Sequence, residues 1–203
     1  MFSIMDLTQG KVLKSVARQR MAKPTPHQLR LQEALHFEED KWQIKYKYVK
    51  KHSISTRKRV FMTELFTSGP YTNVRFVHAK VKTSQACQYC NDPYQDFIHL
   101  FLDCPEVTSL RSALTAKWPR PVTKLECALG TDNNSEEEKA MSFVLLEFIY
   151  YVQRANWANE NLSLSSFKGA LRAIEVVESR IAIKNNRPDR HRTKWEEIFK
   201  LIA

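Results

Sequence analysis

The feature that most limits how this chain of 203 residues can fold is a group of three cysteines and one histidine within eighteen residues. Their order is Cys87-x2-Cys90-x8-His99-x4-Cys104. Thiolates and a neutral imidazole at this spacing are typical of a tetrahedral zinc site, because the first pair forms a tight turn that brings two sulfurs to one ion. The sequence therefore predicts a zinc knuckle of the CCHC type, and we call residues 87–104 the knuckle.

The zinc is expected to be structural rather than catalytic. Four protein ligands close the coordination sphere and leave no position for the water that a catalytic zinc activates. The fourth cysteine, Cys127, lies outside this spacing and is expected to be a thiol of the hydrophobic core. The alternative is that all four cysteines are small core residues and that His99 is a buried, hydrogen-bonded histidine. A disulfide is not expected, since nothing in the sequence indicates an oxidising compartment.

The composition is that of a folded chain without a membrane-spanning segment. Hydrophobic residues make up 43% of the chain and aromatic residues 11%, more than a disordered sequence contains. The longest apolar stretch, Ala140 to Val152, has thirteen residues and includes Glu147, whereas a spanning helix needs about 20 residues. The N-terminus has neither the basic and apolar regions nor the cleavage site of a secretory signal. We therefore expect an intracellular protein with no membrane partner.

Helical patterns dominate the chain and predict a mainly α fold. Ser135, followed by three glutamates, is a helix-start signal that predicts a long buried helix reaching Asn156. Further helices are expected at 12–21, from His27 to Phe37, from Arg57 to Phe66, from Cys104 to about Trp118, from Ser163 to Asn185, and around 195–202. In the helix from Arg57, the side chains of Val60, Phe61 and Leu65 are expected to face inward.

One segment departs from the helical pattern. Between Lys41 and Tyr48, apolar and polar residues alternate strictly, which favours a strand or an extended segment laid on another surface. The predicted fold class is therefore a mainly α helical domain with an embedded zinc knuckle and a short extended segment or hairpin.

The positive charge of the chain is concentrated in its N-terminal part. Residues 1–82 contain 17 Lys and Arg against 6 Asp and Glu, whereas residues 83–203 contain 15 against 16. Clustered cations neutralise phosphates and release counterions, so this asymmetry indicates a surface that binds nucleic acid. Between Lys41 and Arg59 the cations alternate with Trp42, Tyr46, Tyr48 and His52, as single-strand binding requires. The predicted phosphate ligands are Lys50, Lys51, Arg57, Lys58, Arg59, Arg75 and Lys82.

The same basic stretch has a simpler interpretation. A helix can expose its lysines and arginines to water while its aromatic side chains pack inward, without binding any partner. Only the imbalance between the two parts of the chain favours nucleic acid over this alternative. The sequence does not distinguish RNA from DNA.

The knuckle and its flanks resemble the zinc-binding segment at the C-terminal end of reverse transcriptases from LINE-type, non-LTR retrotransposons. The x8 spacer is longer than that of retroviral nucleocapsid knuckles and points to the retrotransposon group. The residues that carry the resemblance are Arg57-Lys58-Arg59-Val60-Phe61, Gly69, Thr83-Ser84, the four predicted zinc ligands and Asp96-Phe97-Ile98-His99-Leu100-Phe101-Leu102-Asp103-Cys104-Pro105. The C-terminal part is similar to the same proteins through Phe148-Ile149-Tyr150-Tyr151, Glu178, Ile181-Ala182, Asn185-Asn186, His191 and Lys194-Trp195. The resemblance covers about residues 40–203.

The resemblance implies a C-terminal segment that holds template RNA or target DNA near a polymerase. It suggests a basic helical region at 1–56, a reverse-transcriptase-type zinc-binding region at 57–130 and a C-terminal helical segment at 131–203. The implied partners are nucleic acid, single-stranded or template RNA among them, and the rest of a reverse transcriptase. The implied location is a nuclear or cytoplasmic ribonucleoprotein.

The sequence offers no residues for catalysis. The paired carboxylates of a polymerase palm are absent, and so are a Ser/His/Asp arrangement, a phosphate-binding loop and a dinucleotide fingerprint. The nearest match to a nuclease pattern is Pro188-Asp189 with Glu196, Glu197 and Lys200, in an amphipathic helix with no strand to carry the acids. We therefore expect a binding module and not an enzyme. Two alternatives stay open: a zinc-stapled helical module that binds protein, and an inactive retrotransposon-derived fragment.

Overall fold

The computed structural model describes residues 24–36, 56–67, 69–70, 72–131 and 135–203. Within these ranges the chain forms α1 (Pro26–Leu35), α2 (Thr56–Thr67), α3 (Asn73–His78), a π-helical turn (His99–Asp103), α4 (Pro105–Thr115), α5 (Lys124–Leu129), α6 (Glu136–Ala158), α7 (Leu164–Lys184) and α8 (Pro188–Ile202). No strand occurs in this part of the chain, so the predicted mainly α class is confirmed. The extended segment expected at 41–48 and the helix expected at 12–21 lie outside the described residues.

The long helices begin where the sequence signals place them. The Ser135 side chain accepts a hydrogen bond from the Glu138 N–H at 3.1 Å, and Ser163 accepts one from the Ser166 N–H at 3.0 Å. Each of these bonds satisfies a backbone donor that the first turn of a helix leaves without a partner. At the start of α1, Thr25 and Gln28 form a reciprocal capping box. The expected starts of α6 and α7 are thus confirmed.

Helix α6 is the centre of the molecule. Its residues from Ala140 to Ile149 are all buried, so this part of the helix is covered on every side. Helices α5, α7 and α8 pack against it. A single cluster of buried side chains includes α6 together with the knuckle residues Phe97, Leu100 and Cys104. Side chains from both the 57–130 and the 131–203 segments therefore form one core. The division of the chain into these two regions stays a prediction.

Two details of the helices differ from the sequence-based expectations. Val60 was expected to face inward, but 52% of its surface is exposed. The buried residues of α2 are Phe61, Met62, Leu65 and Phe66, and a residue one position before this stripe points to the opposite side of the helix. Helix α4 ends at Thr115, three residues before the expected end. None of the helices in the described ranges combines the length and the apolar character that crossing a membrane requires.

A buried ion pair joins α2 to the centre of α6. The Lys58 Nζ lies 2.7 Å from both carboxylate oxygens of Glu147, and the two side chains are 16% and 9% exposed. Burial raises the pKa of the Glu147 carboxyl, and the charge of Lys58 offsets part of that increase. Removing one member of such a pair leaves a buried charge without its partner.

We predict that Lys58→Met destabilises the protein by up to about 3–5 kcal/mol in chemical denaturation. Because the folded-state pKa of Glu147 is raised, the folded state gains stability as pH falls through that pKa. The loss in Lys58→Met should therefore shrink at acidic pH. The double variant Lys58→Met/Glu147→Leu should recover most of the stability.

Lys124→Met is the matched control. Lys124 also lies 2.7 Å from a carboxylate, that of Asp103, but these side chains are 67% and 43% exposed. An exposed pair contributes at most about 1 kcal/mol. If Lys58→Met and Lys124→Met lowered the free energy of unfolding equally, the Lys58–Glu147 pair would have no special structural role.

Candidate metal centre

The fold brings together the four residues that the sequence spacing singled out. One ligand atom from each of Cys87, Cys90, His99 and Cys104 lies within 4.8 Å of the other three. The Sγ atoms of Cys87 and Cys104 are 3.8 Å apart, and the Cys90 Sγ is 3.3 Å from the His99 Nε2. Three sulfurs and an imidazole nitrogen at these distances can hold a single metal ion.

The first two cysteines are placed by a tight turn. The Asn91 N–H donates to the Cys87 carbonyl at 2.9 Å, and the Cys87 N–H donates to the Asp92 carbonyl at 2.8 Å. Asn91 closes the turn at φ 61°, in the left-handed region that asparagine tolerates better than most residues. This turn directs both sulfurs to the same side of the chain.

The histidine and the last cysteine are placed by the π-helical turn. In an α-helix, residues five apart point about 140° away from one another. Here the Cys104 N–H donates to the His99 carbonyl at 2.6 Å, which closes the wider turn of a π-helix. Cys104 is the N-cap of α4, and Pro105 is the first residue of that helix. The x4 spacing can therefore bring both side chains to one point.

Hydrogen bonds within the cluster favour the thiolate form of Cys87. The pKa of Cys87 is lowered to about 4, first by a hydrogen bond from Cys104 and then by a hydrogen bond from Gln95 and by the Tyr89 and Cys90 N–H groups. The same bond between the sulfurs raises the pKa of Cys104, because Cys104 keeps the proton. Metal ions bind thiolate and not thiol, so Cys87 is prepared to bind one.

Two further side chains support the ligands. The Gln95 Nε2 donates to the Cys87 Sγ at 3.3 Å and to the Asn156 Oδ1 at 3.1 Å, while the Gln95 Oε1 accepts the Asn73 N–H at 3.0 Å. Gln95 and Asn156 are both fully buried. Asn156 belongs to α6, so this contact connects the knuckle to the central helix. Behind His99, the Nδ1 atom faces the Asp92 carboxylate at 3.8 Å, as is common for metal-binding histidines.

Burial divides the four ligands into two pairs. Cys87 and Cys104 are 1% and 0% exposed and belong to the hydrophobic core. Cys90 and His99 are half-buried, so a metal ion could enter from their side. Cys127 lies apart from this group, buried in the core, as predicted. Burial raises the pKa of its thiol, which makes it a poor metal ligand.

Of the seven predicted phosphate ligands, four have side chains that the structure describes: Lys58, Arg59, Arg75 and Lys82. Lys50, Lys51 and the side chain of Arg57 lie outside the described residues. Lys58 binds Glu147, and the Arg75 guanidinium donates to the Gly69 carbonyl. Lys82 donates to the side chains of Asn73 and Asn159 at 2.9 and 3.2 Å, and burial lowers its pKa. Arg59 is exposed. Their role in phosphate binding stays a prediction.

Sequence reasoning did not identify Gln95 or Asn156. Gln95 follows the turn residues of the knuckle, and no pattern distinguishes it from a loop glutamine exposed to water. Its partner Asn156 is 61 residues away in the sequence. Only the folded arrangement shows that a buried amide supports the Cys87 sulfur.

Comparison with known proteins assigns no family to the chain: no family model, curated protein or solved structure matches it.

We predict that Cys104→Ser abolishes metal retention, whereas Cys127→Ser leaves it unchanged. Both thiols are buried in the same core, so the two substitutions disturb packing to a similar extent, but only Cys104 lies in the cluster. Elemental analysis of the purified variants gives the metal content per chain. Equal metal loss in both variants would show that the ligand assignment is wrong.

Gln95→Leu tests the supporting hydrogen bond. We expect its metal affinity to fall about 10- to 100-fold, the usual loss when a residue that orients a ligand is removed. Competition with a chromogenic chelator measures the affinity. Gln88→Leu is the control, because Gln88 lies between the first two cysteines and its Nε2 donates to the Ala155 carbonyl and not to a sulfur. Equal affinities of the two variants would contradict the role of Gln95.

Proposed function

We propose that the chain is a zinc-stapled module that binds nucleic acid. The observation that carries the proposal is the geometry of the four ligand atoms. Two sulfurs that each lie 2.3 Å from a tetrahedral zinc are about 3.8 Å apart, and the Cys87 and Cys104 sulfurs are 3.8 Å apart. A Cys3His set also closes the coordination sphere, as structural zinc sites do. In this role zinc contributes its binding free energy to folding.

The nucleic-acid part of the proposal is supported by charge. The chain has a formal net charge of +10, with the excess in residues 1–82. In this proposal the N-terminal phosphate ligands are Lys50, Lys51, Arg57 and Arg59. The side chains of Lys58, Arg75 and Lys82 bind groups within the protein. The resemblance of the knuckle to LINE-type reverse transcriptases supports the same role.

On this proposal the chain positions template RNA or target DNA for a polymerase and carries out no chemistry itself. Its partners are nucleic acid and the remainder of a reverse transcriptase, in a nuclear or cytoplasmic ribonucleoprotein. The expectation that it is not an enzyme follows from the absence of palm and nuclease residues in the sequence.

A second candidate function is protein binding. A groove of about 740 Å³ lies between α6 and α7, lined mainly by apolar side chains such as those of Tyr150, Ile174 and Val177. Val177 is 55% exposed, and its neighbour Val176 is 47% exposed. An apolar groove of this kind suits a helix of another protein, and such docking depends little on salt.

Titration of the purified full chain with labelled single-stranded RNA and duplex DNA, at about 50 and about 200 mM salt, tests the proposal. Binding through six or more phosphate contacts should weaken over this range by about 1,000-fold or more for duplex DNA and by about 300-fold or more for single-stranded RNA. Fluorescence anisotropy gives the affinities. Binding that is absent, or that does not change with salt, would overturn the nucleic-acid proposal and favour protein docking.

A further inference from the structure

A second basic surface lies at the corner between α7 and α8, which we define as residues 180–192. This segment contains five Lys or Arg and one acidic residue, whereas the whole of residues 83–203 contains 15 against 16. The remainder of that segment therefore has ten basic and fifteen acidic residues. Although the net charge of residues 83–203 is near zero, the α7–α8 corner is strongly positive.

The cations of the α7–α8 corner are available to a partner. Arg180, Lys184, Arg187 and Arg190 are all exposed. Within the described residues, their side chains take part in no hydrogen bond or ion pair. The fifth cation, Arg192, lies 3.9 Å from Asp189, and both of these side chains face solvent. Lys58, Arg75 and Lys82 differ in this respect, because each of them binds a group of the protein itself.

The turn that presents these cations is closed by backbone hydrogen bonds. The Arg187 N–H donates to the Ala182 carbonyl at 2.9 Å, and the Asn186 N–H donates to the Ile183 carbonyl at 3.1 Å. Asn186 has φ 52°, in the left-handed region. Together these features form a Schellman motif, and Arg187 at its end is also the N-cap of α8. No free linker separates the two helices.

The helices hold the corner in a fixed direction. Helix α8 packs against α6 and α7. The Glu178 Oε2, on α7, accepts hydrogen bonds from Lys194 at 2.7 Å and from the Trp195 indole at 2.9 Å, both on α8. Glu178 is 7% exposed, so this contact is a buried connection between the helices. Arg180 and Lys184 are four residues apart and share one face of α7. The backbone that carries the cations therefore needs no ordering when they bind a partner, which favours affinity.

We infer that the α7–α8 corner is a binding surface for the phosphate backbone of a nucleic acid. Three of its four available cations are arginines, whose planar guanidinium groups bind phosphate oxygens in pairs. The side chains of Asn185 and Asn186 are exposed beside them, and asparagine amides commonly donate to phosphate. The inference rests on the proposed nucleic-acid-binding function and gives it a second contact surface, outside the N-terminal basic region.

The test compares two full-length variants of equal net charge. The corner variant carries Arg180→Gln, Lys184→Gln, Arg187→Gln and Arg190→Gln. The control variant carries Arg30→Gln, Arg154→Gln, Lys168→Gln and Arg172→Gln, which removes four cations from other parts of the surface. All eight side chains are exposed or half-buried, so both variants should fold. Metal content and far-UV circular dichroism verify this.

Both variants and the wild type are titrated with a labelled oligo(U) of about 20 nucleotides at about 50 and about 200 mM salt. Each lost phosphate contact lowers the salt slope by about 0.7 for a single strand. The quantity compared is the ratio of the affinity at about 50 mM salt to that at about 200 mM salt. If three or four contacts are lost, this ratio should be about 20- to 50-fold smaller in the corner variant than in the wild type. The control variant should keep nearly the wild-type slope, because screened charges outside the interface contribute little.

The outcomes separate this inference from the function on which it rests. If the wild type binds with a steep salt dependence and the two variants lose affinity equally, the corner is an ordinary solvated surface and the inference is wrong, while the proposed function stands. If the wild type does not bind oligo(U) or duplex DNA at either salt concentration, both are wrong. An unchanged slope in the corner variant would overturn the inference even if its affinity fell.

Discussion

The convergence of three thiols and an imidazole, with Cys87 and Cys104 buried in the core, is the constraint on which the rest of the structure depends. Cys87 and Cys104 are as buried as the leucines around them, and packed sulfurs at 3.8 Å share protons in a way that favours one thiolate. A cation bound among the four ligands would neutralise that charge and fix four points of the backbone. Since ligand atoms this close are rarely assembled in an unfolded chain, metal binding and folding of this region should be coupled.

The buried amide of Gln95 extends this constraint from the knuckle to the central helix. It satisfies a sulfur, a side-chain oxygen of α6 and a backbone N–H at once. A buried polar group that loses its hydrogen-bond partner destabilises the fold, because the low dielectric of the core makes an unpaired group costly. A shift of Cys87 would therefore leave Gln95 without one of its acceptors and disturb the contact with Asn156. The knuckle is in this sense part of the helical core and not an appendage to it.

The sequence predicted what depends on local signals. The Cys and His spacing of the knuckle identified all four members of the cluster, and the N-cap serines identified the starts of α6 and α7. Both signals depend only on residues that are close together in the sequence. Helices α3 and α5 have six residues each and are too short to show a hydrophobic period. The sequence did not indicate that Lys58 pairs with a carboxylate 89 residues away. Contacts over such separations depend on the packing of α2 on α6, which no local pattern reveals.

The net charge of a segment does not show which of its charged side chains are available at the surface. Residues 1–82 have a large excess of cations, but a cation that already binds a buried carboxylate or the end of a helix is less available to an external phosphate. The ammonium of Lys58 and that of Lys82 are used in this way. The segment from 83 to 203 is nearly neutral as a whole, although its acids and cations are separated along the chain: Glu136, Glu137 and Glu138 begin α6, where they favour the positive end of the helix dipole. Within the described residues, Arg180, Arg187 and Arg190 at the α7–α8 corner take part in no such pair. In the part of the chain that the structure describes, the charge available at the surface therefore depends on which charges the fold pairs as well as on where the sequence concentrates them.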